Sequence, residues 1–193
     1  MTTKTFPLRE LCKISIFAAI IAICAQISIP MPYGVPMTLQ TFAIPLAGVV
    51  LGAKNGTIST LIYILLGFIG LPVFAGFTGG IGIVFGRTGG FILAFPFMAL
   101  AAGIGASFNH QSKSPASKGR KKQKLAWLLL WLVIGAIFLY TSGLLAFSFV
   151  TSIPLRASFG LVVAPFIPTE IIKIILVVTL GSLLKQRLSC IAN

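Results

Sequence analysis

Acidic side chains are almost missing from this chain. Among 193 residues only Glu10 and Glu170 carry a carboxylate, and His110 is the single histidine. No second carboxylate stands in an apolar segment beside Glu170, and no Ser/His/Asp set is present, so acid–base and nucleophilic catalysis find little support. Cys12, Cys24 and Cys190 are odd in number and widely separated, which yields neither a disulfide framework nor the ligand spacing of a metal site. No cofactor or metal is expected. Charge of either sign is scarce, at 9% of residues against about 25% in soluble domains. A phosphate cradle is also lacking, because Gly86-Arg87-Thr88 has no lysine before the threonine.

Hydrophobic residues make up 57% of the chain, and the mean hydropathy is +1.05. Apolar runs of about 16–23 residues are continuous rather than alternating, which suits membrane-spanning helices and not barrel strands. Six such segments can be read: 13–29, 37–53, 56–71, 88–107, 125–147 and 162–184. The second and third are short for a bilayer core of about 30 Å, which implies tilt or cover by loops. The first follows Lys4, Arg9 and Lys13, as the apolar part of a signal peptide would. It is longer than that, however, and Ser28-Ile29-Pro30-Met31 offers no small-residue cleavage site, so it is kept as a span. The expectation is an all-α membrane protein, a six-transmembrane-helix bundle forming one domain over 1–193.

The net charge of +13 comes from basic residues gathered between apolar runs. Twelve of them fall on one side: Lys4, Arg9, Lys13, Lys54, six in 108–124, Lys185 and Arg187. Arg87 and Arg156 fall on the other. By the positive-inside rule both termini and the 108–124 loop are cytoplasmic. That loop is read as contacting anionic membrane lipid or as docking a partner, not as binding nucleic acid.

Glu170 and Lys173 are exceptions to the apolar pattern. They stand three residues apart in the last segment, on one side of a helix. A charge at the bilayer centre costs about 2.5–3.5 kcal/mol on insertion scales, so such a pair marks a polar ligand or ion site. Thr38 and Gln40 open the second segment on the same side of the membrane, as helix caps or as ligand contacts. Between the third and fourth segments lies an outer loop with nine glycines in residues 67–90. Its interleaved aromatic and aliphatic residues are too apolar for a solvated loop, so it is expected to fold back as a lid or wall, or as packing. Arg87 within it is a fork suited to a carboxylate, or an interfacial arginine. Ala18 and Ala22 on the first segment, and Gly48, Gly52 and Gly56 beyond it, have the four-residue spacing that lets helices approach closely.

Four phrases, Val35-Pro36-Met37-Thr38-Leu39-Gln40-Thr41, Gly67 to Gly76, Gly86-Arg87-Thr88-Gly89-Gly90-Phe91 and Pro168-Thr169-Glu170-Ile171-Ile172-Lys173, together resemble the BioY family. These are the biotin-specific substrate-binding (S) components of energy-coupling factor vitamin transporters. The resemblance implies a six-helix component of the cytoplasmic membrane that captures biotin outside. It also implies partnership with a transmembrane coupling protein and two ATP-hydrolysing subunits. Ala18 and Ala22 match the family's Ala-x-x-x-Ala contact to the coupling protein. Glu170 and Lys173 match its ligand-contacting acid and lysine, with Glu where Asp is more usual; Arg87 stands where many relatives have proline. On this reading Glu170 accepts from a ureido N–H of biotin, and Lys173 holds Glu170 and donates to the ligand. Phe74, Phe77 and Tyr63 meet the ring and alkyl chain, and Arg87 or Lys173 meets the carboxylate. The alternatives are an S component for another vitamin, a small membrane enzyme with Glu170 as general base, and an accessory subunit without a ligand.

Overall fold

A chain with so few polar side chains has to satisfy its backbone within its own helices if it lies in lipid, and it does. The computed structural model describes residues 8–107 and 118–190, with the side chains of all but 118–121 and 186–190. Helix α1 (Leu8–Gln26) leads into a small antiparallel hairpin of β1 (Ser28–Ile29) and β2 (Met37–Thr38), with Ser28 opposite Thr38. Helices α2 (Gln40–Leu51) and α3 (Ala53–Phe68) follow, then the short α4 (Ile81–Val84). Next come α5 (Gly89–Ser107), α6 (Lys118–Thr151), α7 (Leu155–Val162) and α8 (Ile167–Cys190).

The protein is a mostly helical membrane protein. Among the described residues three stretches are long and apolar enough to cross a bilayer: Gly89–Ser107, Lys122–Thr151 and Leu155–Lys185. The outer faces of α6 and α8 carry Ile137, Leu145, Phe149, Ile171 and Ile175, all exposed. A soluble monomer does not leave so continuous an apolar surface uncovered.

Helix α5 forms the centre. It is buried along most of its length and packs on α2, α3 and α6. Glycine makes this possible. A side chain at Gly48 would collide with the Ala99 carbonyl of α5, one at Gly56 with the Gly48 backbone, and one at Gly103 with Ala53. Gly52 has a different task. Its φ of +85° turns the chain between α2 and α3 in a single residue, a backbone state that other L-residues adopt at a cost. At 12 and 16 residues, α2 and α3 are about 18 and 24 Å long. Shortness is tolerable in α2 because it is buried without a break from Ala43 to Val49.

Several sequence expectations are corrected here. Lys54 is not in a loop: it lies in the first turn of α3. Arg156 belongs to α7, a short amphipathic helix that periodicity missed because it spans only 8 residues. The basic stretch 108–124 is helical from Lys118 onward as the start of α6; residues 108–117, with His110, lie outside the described residues. Residues 28–29, assigned to the first helix, form β1 instead.

Candidate functional site

At one end of the bundle a partly open cavity of about 250 Å³ is lined by the hairpin loop, the glycine-rich loop and residues of α2, α5, α6 and α8. Phe74, Phe91, Phe95, Tyr140 and Phe166 supply an aromatic lining, while Thr38, Gln40, Thr41, Thr78, Thr88 and Lys173 supply polar atoms. An apolar chamber with a few convergent polar groups is the usual form of a small-molecule site. Its size suits a compact guest.

Lys173 reaches into this cavity from α8. Its Nζ donates to the Thr38 carbonyl and to Thr41 Oγ1, both at 2.8 Å. The ammonium carries three N–H donors, so these two bonds leave one for a guest. Thr38 Oγ1 donates to Gln40 Oε1 at 2.9 Å, and Gln40 Nε2 donates to the Tyr63 hydroxyl at 2.6 Å. Tyr63 itself is fully buried and does not line the cavity. It orients Gln40 through that bond and Phe74 through an edge-on contact, with ring centroids 5.6 Å apart.

Glu170 is 4% exposed and Lys173 6%, so both members of the sequence pair are buried. No hydrogen-bonded ion pair joins the two: the lysine bonds to the hairpin and α2, the carboxylate to α6, while their opposite charges attract and the Thr41 hydroxyl bears on both. Tyr140, in the cavity wall, donates to Glu170 Oε2 at 3.0 Å. Glu170 Oε1 is buried and has no hydrogen-bond partner among the described residues. Glu170 does not line the cavity; it borders a second, apolar hollow between α6 and α8, which Tyr140 also borders. Tyr140 therefore stands between the carboxylate and the chamber.

The glycine-rich loop does fold back. Phe74 and Thr78 pair across a tight turn, and Phe74, Ala75 and Thr78 face the cavity. The Phe74 ring occupies the space that a side chain at Gly67 would fill. Phe77, expected against the ligand, is at the tip of the turn and 72% exposed. Arg87 is exposed as well; its Nη1 donates to the Tyr33 carbonyl at 3.3 Å, which puts it at the rim beside Gly34 and not inside.

Ala18 is 4% exposed, and Ala22 packs partly buried against the core. Ala18 packs within this chain and Ala22 does so in part, and the exposed small residues of α1 are Cys12, Ser15 and Ala19. Sequence reasoning missed Thr41, Tyr140 and Gln26. A lone tyrosine in the most apolar segment and a lone glutamine near the end of the first were the available signals, since buried polar tips need partners.

The model of the BioY family matches residues 1–189. A protein of Pyrococcus horikoshii named probable biotin transporter BioY is 39% identical over 165 residues, 86% of this chain and 89% of its own length. The biotin transporter BioY2 of Lactococcus lactis subsp. cremoris is 38% identical over 182 residues, 94% of this chain and 93% of that one. A crystal structure of the S-component for biotin from an ECF-type ABC transporter matches with a TM-score of 0.77 and 32% identity. The match covers 93% of this chain and 92% of the other.

Proposed function

Because the chain belongs to the BioY family, we propose that it is the substrate-capturing component of a biotin uptake system of the energy-coupling factor type. The observation that carries this is the cavity itself, where one buried ammonium and a cluster of amide and hydroxyl groups meet five aromatic rings. Biotin offers a ureido group with two N–H donors and a carbonyl, a thioether ring, an alkyl chain and a carboxylate. The polar ring end needs donors and acceptors such as Gln40, Thr38 and the free N–H of Lys173. The thioether ring and chain need Phe74, Phe91 and Phe166. Glu170 acts by holding Tyr140 in the wall, and through it bears on the same guest. Arg87 at the rim meets the carboxylate.

The finer topology belongs to the same proposal. The chain forms one substrate-binding domain, with α1, α2, α3, α5, α6 and α8 as its six membrane segments. It lies in the cytoplasmic membrane with both termini inside, so the cavity opens outward. The basic residues on the opposite side support this orientation. Movement of the guest inward falls to partners, a transmembrane coupling protein and two ATP-hydrolysing subunits, since no phosphate-binding motif is found in this chain.

Titration of the purified, detergent-solubilised protein with labelled biotin tests the proposal. Saturable one-to-one binding, competed by unlabelled biotin and not by other vitamins, is expected. Preferential competition by a different vitamin, or absence of saturable binding, overturns it.

A further inference from the structure

The turn that roofs the cavity is fastened by a side chain that lies outside it. Gln26 is the last residue of α1. Its Oε1 accepts from the Phe77 N–H at 2.8 Å. Its two Nε2 hydrogens are shared among the carbonyls of Val73 and Phe74, each at 3.1 Å, and the Ala22 carbonyl of its own helix at 3.2 Å. One amide thus uses both its acceptor and its donors on three successive parts of a single turn. Within the turn the Phe74 and Thr78 backbones bond to each other at 2.9 and 3.4 Å, and Thr78 Oγ1 donates to the Ala75 carbonyl at 3.0 Å, but these bonds tie the turn only to itself. Gly76 and Phe77 both have positive φ, +71° and +55°, and Phe77 is the less natural occupant of that region. Gly80 N–H donates to the Gly67 carbonyl at 2.7 Å, and Phe74 is wedged beneath Gly67, but these anchor the two feet of the turn. Between the feet, Phe74, Ala75 and Thr78 form part of the cavity wall.

We propose that Gln26 is the latch of this roof: it holds the 73–78 turn closed over the cavity and so sets how fast the guest enters and leaves. The inference rests on the reading that the cavity takes biotin. A latch differs from a mere structural support in its kinetic signature. Releasing a latch frees both directions of exchange, whereas loss of support removes binding sites.

The test uses the full chain in detergent, as wild type, Gln26→Ala and Gln26→Glu. The glutamate keeps the acceptor for Phe77 but turns the two donors into a repelling oxygen, so it unlatches without a change in size. Hydrogen–deuterium exchange is read on the peptide covering 73–78 without ligand, and the association and release of tritiated biotin are timed. Exchange in that peptide and release of biotin should each rise roughly tenfold in both variants, because about two to three modest hydrogen bonds are lost. Association should quicken as well, the number of binding sites should be unchanged, and faster release without faster association overturns the latch in favour of a lost contact. Unaltered exchange at 73–78, or unaltered release, overturns the latch. So does slower association with fewer sites, which marks simple structural support. If the wild type binds no biotin, the proposed function fails, and the exchange measurement still decides whether Gln26 holds the turn. Should Gln26→Ala not fold, the near-isosteric Gln26→Glu carries the same comparison.

Discussion

Lys173 and Glu170 stand one helical turn apart on α8 and attract each other, yet their closest hydrogen bonds run to different elements. The lysine bonds to Thr38 and Thr41 of the hairpin and α2, the carboxylate to Tyr140 of α6. Each end of the sequence pair therefore ties α8 to a different wall of the cavity. A buried charge held by well-placed hydrogen bonds is costly to strand, which makes both residues sensitive to the loss of their separate partners.

Replacing Lys173 by Met keeps an unbranched side chain, shorter by one atom, and removes its donors. Biotin affinity should fall by about 10–100-fold, the range for a hydrogen bond from a charged donor. Thr41→Val removes one anchor and leaves the ammonium, so its loss should be smaller. Isothermal titration of both variants makes the comparison; equal effects would show that the anchor, not the lysine, matters to the guest.

Glu170→Ala should abolish high-affinity biotin binding while the protein remains folded in detergent. If the carboxylate works through Tyr140, then Tyr140→Phe should weaken binding as well, and the double variant should be no worse than the stronger single one. Additive losses in that double-mutant cycle would instead mean that the two residues act independently.

Arg87 should govern capture more than retention, because it is exposed at the rim and bonded to the Tyr33 carbonyl. Arg87→Gln is expected to slow association of biotin several-fold at low salt, and less at high salt. The uncharged methyl ester of biotin should be unaffected. Equal slowing of the ester would assign Arg87 to positioning the Tyr33 turn.

Glycine substitutions separate packing from backbone conformation. Gly48→Ala places a methyl group against the α5 backbone, and overpacking of this kind costs about 1–3 kcal/mol. Gly52→Ala meets nothing within 4 Å, so its cost comes from the backbone alone: φ +85° with ψ 169° is a region essentially confined to glycine, worth about 1–3 kcal/mol. Thermal unfolding in detergent should therefore show a loss in both variants, and an unchanged Gly52→Ala would mean that the α2–α3 turn relaxes out of its positive φ.

On α1 the exposed Ser15 and Ala19, not the inward-facing Ala18, are available to another protein. Ala19→Leu should leave biotin binding intact and weaken co-purification with the coupling protein. Ala18→Leu should lower the thermal stability of the isolated chain. The reverse pattern would return the contact to Ala18 and Ala22.

Composition and the continuity of the apolar runs determined that this is a helical membrane protein, because only helices and closed barrels satisfy the backbone in lipid and barrel strands alternate. Local pattern also singled out Glu170, Lys173, Thr38 and Gln40, since polar groups in apolar segments stand out against their neighbours. The folding back of the glycine-rich loop was legible from its lack of polarity. Which of these groups meet was decided only by the tertiary structure. Spacing on α8 suggested that Lys173 would pair with Glu170, but a side chain bonds to whatever the packed neighbours present, and those neighbours are Thr38, Thr41 and Tyr140 from distant parts of the chain. The same holds for Tyr63, which props the cavity from behind, for Phe77, which points away from it, and for Ala18, whose small side chain packs inward. Helical periodicity states which residues share a face; only the close approach of the helices determines what that face touches.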